Sequence, residues 1–321
     1  MKRNEIMMKQ ELEKCKICPH QCSVTRKGKN IGFCRANDKI QIAHFGMHYD
    51  EEPCISGCGN CEKIEIKRKG SGTIFFSHCN LKCVFCQNYK ISQGDYGMAV
   101  SIDTLSKIMM TLQKQGAYNI NLVTPTIYAL QIKEAIMMAK QKGLNIPIIY
   151  NSSGYENVET LKQLEGYIDV YLPDFKYFDD DLALQYSKVK NYFKYASLAI
   201  KEMYRQVGLP IFDENGMIQR GIMIRHMILP NHTRDSKKIL AWIKENMGSS
   251  MYISVMAQYF PTHQANLYEK INRKISKKEL KIVENYMYDL DFSHGYIQKI
   301  GKNEEKYVPN FNINCIKEIE K

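Results

Sequence analysis

No stretch of this 321-residue chain approaches the ~18–20 uncharged apolar residues that a spanning helix needs, which excludes a membrane bundle. The first fourteen residues mix Lys, Arg and Glu without an apolar core, so no secretory signal and a cytoplasmic location are expected. Internal repeats of fixed period and low-complexity tracts are absent, which excludes solenoids and disordered linkers. Acidic residues are in deficit: 34 Asp and Glu against 45 Lys and Arg leave a net charge of +11. That excess permits an anionic substrate, but it is mostly Lys spread thinly along the chain. The densest run, 63–69, includes Glu65, so a solvated surface is the expected reading and a nucleic-acid partner is not. Cysteine is almost missing from the last three-quarters of the chain, where only Cys315 occurs, while ten of the eleven lie in the first 86 positions. Clustered cysteines without an export signal point to metal rather than disulfides.

What is present is an alternation of apolar segments. Residues 1–70 form a cysteine-rich front with little periodicity, residues 71–300 alternate strand and helix, and 301–321 form a tail. Strands are expected at 73–76, 119–123, 146–150, 167–172, 222–229 and 252–256. Helices are expected after Ser101, over Ile132–Ala139, over Val158–Leu164, over 181–188 and 192–207, after Ser236, and after Ser276, where Glu279 completes a capping box. Six strands with intervening helices imply an α/β fold with a parallel sheet and right-handed crossovers.

Cysteines fall into three groups. Cys79, Cys83 and Cys86 form C-x3-C-x2-C directly after the apolar run 73–76. Three thiolates on one loop suit an iron–sulfur cluster with one iron free of protein ligands. Zinc with His78 or a distant fourth ligand stays open, as does redox use. Cys15, Cys18, Cys22 and Cys34 read C-x2-C-x3-C-x11-C, a complete four-thiolate shell for zinc or an auxiliary cluster. Cys54, Cys58 and Cys61 repeat the first spacing without a strand leading in, and either hold a further metal or form an ordinary loop.

The loop GTIFFSHCNLKCVFCQN, including Phe85 before the last cysteine, resembles the signature of the radical S-adenosylmethionine (SAM) superfamily. EEPCISG, GSGTIFF, NINLVTPT, IIYNSSGYE, YLPDFKY and RGIMIRHMILPN are similar to radical SAM proteins related to pyruvate formate-lyase-activating enzyme. The resemblance spans about residues 15–261. It implies a partial (βα)6 barrel and a [4Fe-4S] cluster on Cys79, Cys83 and Cys86 that chelates SAM. It further implies reductive cleavage to a 5′-deoxyadenosyl radical, an electron donor such as flavodoxin or ferredoxin, and activation of a glycyl radical enzyme as protein substrate. Radical modification of a peptide, RNA or small molecule is the alternative, and a zinc-binding interaction protein with a degenerate barrel is the alternative of another class.

Ligand residues in parallel α/β folds gather at the carboxyl ends of strands. Thr124 is expected to take the place of the superfamily's Gly-Gly-Glu element, absent here, and Asn151 and Ser153 to contact SAM. Asp174 and Lys176 are expected as an active-site pair and Arg225 as partner of the SAM carboxylate or of Asp174. His226 is expected as a catalytic contact, with Gln258 and Tyr259 bordering the substrate opening.

Overall fold

The computed structural model describes residues 12–27, 31–57, 69–301 and 311–320. Its centre is a run of parallel strands that the expected six anticipate closely: β2 (Ser71–Phe76), β4 (Ile120–Val123), β5 (Ile148–Ser152), β6 (Val170–Pro173), β8 (Ile218–Met227) and β9 (Tyr252–Met256). They pair in the order β2-β4-β5-β6-β8-β9, every neighbour parallel. Four further strands surround them. β1 (Ile40–His48) pairs antiparallel with β2, β3 (Met98–Val100) antiparallel with β1, β7 (Ile211–Phe212) antiparallel with β8, and β10 (Gly295–Ile297) parallel with β9. The described strands therefore form one open sheet, ending in β10 on one side and β3 on the other. β1 lies inside the cysteine-rich front, so part of that front is built into the sheet.

The crossovers are amphipathic helices. α1 (Ile102–Lys114) begins where the Ser101 hydroxyl accepts the Thr104 amide at 3.0 Å, and it buries Leu105, Ile108, Met109 and Leu112 on one stripe. α2 (Ala129–Gln141) buries the expected Ile132, Ala135, Ile136 and Ala139. α3 (Val158–Gln163), α4 (Asp180–Ser187), α5 (Tyr192–Val207) and α6 (Thr233–Met247) follow, and α7 (Lys277–Asp289) carries the full Ser276–Glu279 capping box. A last helix, α8 (Asn314–Glu320), buries Ile316 within the tail segment.

Alternation along the strands separates two faces. Ile149, Val170, Leu172 and Met223 form a small apolar cluster with Cys54 and Ile55 of the short helix Pro53–Ser56. Tyr150, Tyr171 and Ile224 belong instead to the main core with α1 and α2. The EEPCISG segment thus plugs one face of the sheet, and Asn151 and Arg225, one period further along β5 and β8, line a cavity beside that plug. Among the described residues no helix is long and apolar enough to cross a bilayer.

Glu156, in the loop between β5 and α3, is wholly buried, accepting from the Thr126 hydroxyl at 2.6 Å and the Tyr150 hydroxyl at 3.4 Å. Burial pushes its carboxyl up to about 7, against hydrogen bonds that favour the anion. The folded state therefore holds the proton more tightly than the unfolded state, where the carboxyl titrates at 4.5. Stability contributed by protonated Glu156 is complete below that value and falls as pH rises to about 7, by roughly 3 kcal/mol. Urea titrations from pH 4 to 8 should show this slope in the wild type and a flatter one in Glu156→Gln; parallel slopes would place the proton elsewhere.

Candidate active site

The loop after β2 carries Cys79, Cys83 and Cys86 over the carboxyl ends of the parallel strands, and each sulfur has a neighbour that fixes it. The Leu81 amide donates to Cys79 Sγ at 3.3 Å, Cys83 Sγ lies 3.0 Å from Ser187 Oγ, and Cys86 Sγ lies 3.2 Å from Ser92 Oγ. Ser187 is itself 2.7 Å from the buried Tyr177 hydroxyl, so α4 and the segment after β6 hold the loop from below. The Lys82 and Val84 amides donate to the Ser187 and Tyr186 carbonyls. Burial raises all three thiols above their ordinary range, Cys86 to about 11. Thiolate here calls for a strong Lewis acid, the condition that metal binding meets.

The three cysteines line one cavity of about 230 Å³ together with Thr124, Asn151, Ser153, Asp174, Lys176, Arg225 and Gln258, from the ends of β4, β5, β6, β8 and β9. Phe85 lines it too, its ring edge-on to Tyr259 at 5.7 Å. Thr124 has φ +62°, unusual for a β-branched residue, while its amide donates to the Asn151 carbonyl at 2.9 Å. Ser153 donates to Asn80 Oδ1 at 3.3 Å, joining the end of β5 to the cysteine loop. Gly154 also explains itself here: at φ +73°, any Cβ would collide with the Asp174 carbonyl oxygen.

Lys176 Nζ donates to Asp174 Oδ2 at 2.6 Å, and both side chains are mostly buried. Burial opposes the ammonium charge, but Asp174 and the Cys83 and Cys86 sulfurs outweigh it, and the net shift is upward. Lys176 therefore stays cationic beside the three sulfurs, a counter-charge for an anionic thiolate set.

The structure gives several of the expected residues other partners. Arg225 faces the cavity, but its Nη2 donates to Glu51 Oε2 at 2.7 Å and its Nε to Glu52 Oε1 at 2.9 Å. Its anions come from the chain itself, from the EEPCISG segment that no periodicity marks as part of the site. Asn121 Nδ2 adds a bond to Glu51 Oε1 at 3.1 Å. His226, one residue on, points to the other face of β8. Its Nδ1 is 2.7 Å from the Phe175 carbonyl and so donates, and its Nε2 accepts from Ser236 at 2.8 Å, so both nitrogens are engaged. Burial pushes its pKa down to about 4, giving a neutral core histidine between β8 and α6. Tyr259 likewise turns away, donating to the Ile271 carbonyl at 2.6 Å, while its neighbour Gln258 borders the cavity. His78, raised as a fourth zinc ligand, sits 3.1 Å from Gln41 Oε1 and does not line the cavity. Cys54 is buried in the plug, and Cys58 and Cys61 lie outside the described residues.

The family model described as the Radical SAM superfamily matches residues 73–243, more than half of the chain. The chain belongs to the radical SAM superfamily. An uncharacterised protein of Methanocaldococcus jannaschii, MJ0674, is 32% identical over 309 residues, covering 90% of this chain and 81% of its own. Among solved structures, the FeFe-hydrogenase maturase HydG from Carboxydothermus hydrogenoformans superposes with a TM-score of 0.50 at 12% identity, over 72% of this chain and 54% of that one. Streptococcus suis SuiB bound to its precursor peptide SuiA gives 0.47 at 16% identity, over 69% and 47%. The chain spans about half the length of these two structures, and the likeness to the maturase is one of fold alone. Membership in this superfamily implies a [4Fe-4S] cluster and SAM. The residues present fit both: three sulfurs rather than four line the cavity, together with polar side chains from the strand ends.

Proposed function

We propose that this radical SAM protein generates a protein-centred radical, in the manner of a glycyl-radical-enzyme activase, with a flavodoxin or ferredoxin as reductant. The observation that carries the reading is one cavity shared by a three-thiol loop and the polar ends of five parallel strands. When bound, the cluster and SAM supply a 5′-deoxyadenosyl radical that takes hydrogen from a substrate. Cys79, Cys83 and Cys86 would hold three irons and leave the fourth to SAM. Asn151 and Ser153 would hold the polar parts of the nucleoside, and Thr124 and its neighbouring carbonyls the amino group. Asp174 and Lys176, already paired, would orient SAM without a change in net charge. Arg225 with Glu51 and Glu52 sums to one negative charge beside the cavity, which suits a sulfonium cation. Phe85 would screen the cluster from water.

The protein-substrate part of the reading rests on the activase-like motifs EEPCISG, NINLVTPT and RGIMIRHMILPN. Anaerobic reconstitution with iron and sulfide, followed by reduction with SAM, should release 5′-deoxyadenosine; no release would remove the SAM reading altogether. Co-expression with a glycyl radical enzyme should then give its doublet in the electron paramagnetic resonance spectrum. Deoxyadenosine formation without a protein radical would leave SAM cleavage standing and remove the activase role.

A further inference from the structure

The second cysteine group lines a second cavity that shares no residue with the first. The Cys15 amide donates to the Val24 carbonyl at 3.1 Å and the Ser23 amide to the Cys15 carbonyl at 2.9 Å, closing residues 15–24 into a loop. Within it, the Gln21 amide returns to the Cys18 carbonyl at 3.0 Å, and a second turn runs from Gly32 to Arg35. These turns bring Cys15, Cys18, Cys22 and Cys34 to the walls of one small cavity with His20 and Arg26. A Cβ on Gly32 would stand 2.9 Å from Cys22 Sγ, so the two turns approach as closely as they do only with glycine there.

Arg26 supplies an independent observation. It is 1% exposed and donates only to neutral carbonyls, Nη1 to Ile127 and Nη2 to Asn37 at 2.7 Å. Its Nε has no hydrogen-bond partner, and its guanidinium carbon stands 5.5 Å from the centroid of the Tyr128 ring. A buried guanidinium without an anion is costly. Its side chain lines the same cavity as the four thiols. Four thiolates around a divalent ion carry a net charge of −2, and Arg26 would halve it.

We propose that Cys15, Cys18, Cys22 and Cys34 bind a single divalent ion, zinc by its ligand set, with Arg26 as the buried counter-charge. The four sulfurs line a small cavity of about 10 Å³, room for one water-sized sphere. Zinc–sulfur bonds of about 2.3 Å suit that scale. Among the described residues no three such side chains already stand in coordinating geometry, so binding draws the thiol side chains inward. The centre bears on the catalytic loop through His20, which sits between Cys18 and Cys22. Its Nε2 is 2.9 Å from the Asn80 carbonyl, next to Cys79, and its ring stacks on Phe33 at 4.0 Å. The ion would thereby brace the backbone that carries the first cluster ligand. This assignment stands independently of the activase reading.

Zinc and iron are to be quantified in the full-length protein and in Cys79→Ala/Cys83→Ala/Cys86→Ala. The triple variant should lose its iron and keep one zinc per chain. Iron with sulfide at the quartet, or no zinc in either protein, would overturn the assignment. Should the triple variant fail to fold, the wild-type stoichiometry decides: one zinc per chain supports the site and none removes it. Arg26→Met, with its fold checked by circular dichroism, should release zinc to a chelator about tenfold faster than the wild type. An unchanged release rate would remove Arg26 as counter-charge.

Discussion

Cys83→Ala is expected to abolish iron binding at the catalytic loop and to reduce 5′-deoxyadenosine formation to background. Three sulfurs are the minimum that leaves one iron for SAM, and Cys83 is the middle ligand, buried to 9% exposure. Its sulfur is fixed by Ser187, which Tyr177 fixes in turn, so no other thiol can take its place without dismantling α4. Among the described residues outside this loop, Cys15, Cys18, Cys22 and Cys34 line another cavity, Cys54 is locked in the apolar plug and Cys315 lies beside His44, 3.7 Å from its Nδ1. Cys315→Ala is therefore the control that should keep full activity. Iron analysis and product assay on the two variants check the assignment together. SAM cleavage retained in Cys83→Ala would move the active cluster to another cysteine set and sink the site as described.

How far the sequence carried is best seen along single elements. The six central strands were legible because each carries an apolar run and is separated from the next by a helix with a buried apolar stripe, two of these helices opening on a cap, at Ser101 and Ser276. β1 was not, although it has nine residues. Its register slips between Ile42 and His44, so Ile42 and Ala43 are both buried in succession and the alternation that marks a strand is lost. β10 is three residues long, and Gly295 is there because the Ile253 backbone leaves no room for a Cβ. The place of the cysteine loop after a strand, and of Asp174 and Lys176 at the end of another, could be read from the pattern, and the structure puts all of them on one cavity. The inward or outward direction of Arg225 and His226 could not, since both sit amid Ile and Met with no polar–apolar alternation around them. The partners of Arg225 lie more than 170 positions away, beyond the reach of any local pattern.

Arg225→Ala should be the most destabilising single change at the cavity, by about 3–5 kcal/mol, because it leaves two buried carboxylates facing each other without a cation. The side chains of Glu51 and Glu52 are only 9% and 6% exposed, and Arg225 itself 13%. Burial disfavours the guanidinium charge, and Glu52, Glu51 and Asp174 more than restore it, so the three groups are stable only as a set. The Phe175 amide also donates to the Arg225 carbonyl at 2.7 Å, tying β8 to the strand end that carries Asp174 and Lys176. Loss of the set would therefore loosen the plug and the SAM-facing residues together. Removing both carboxylates along with the cation, in Glu51→Gln/Glu52→Gln/Arg225→Met, should return most of the lost stability, since no unpaired charge remains. SAM affinity, measured calorimetrically on reconstituted protein, separates the two roles. If Arg225 acts through its carboxylates, the triple variant regains stability while its SAM affinity stays low, because the negative charge beside the sulfonium is gone. If Arg225→Ala unfolds no more readily than the wild type, the ion triad is not what holds the plug beneath the cavity.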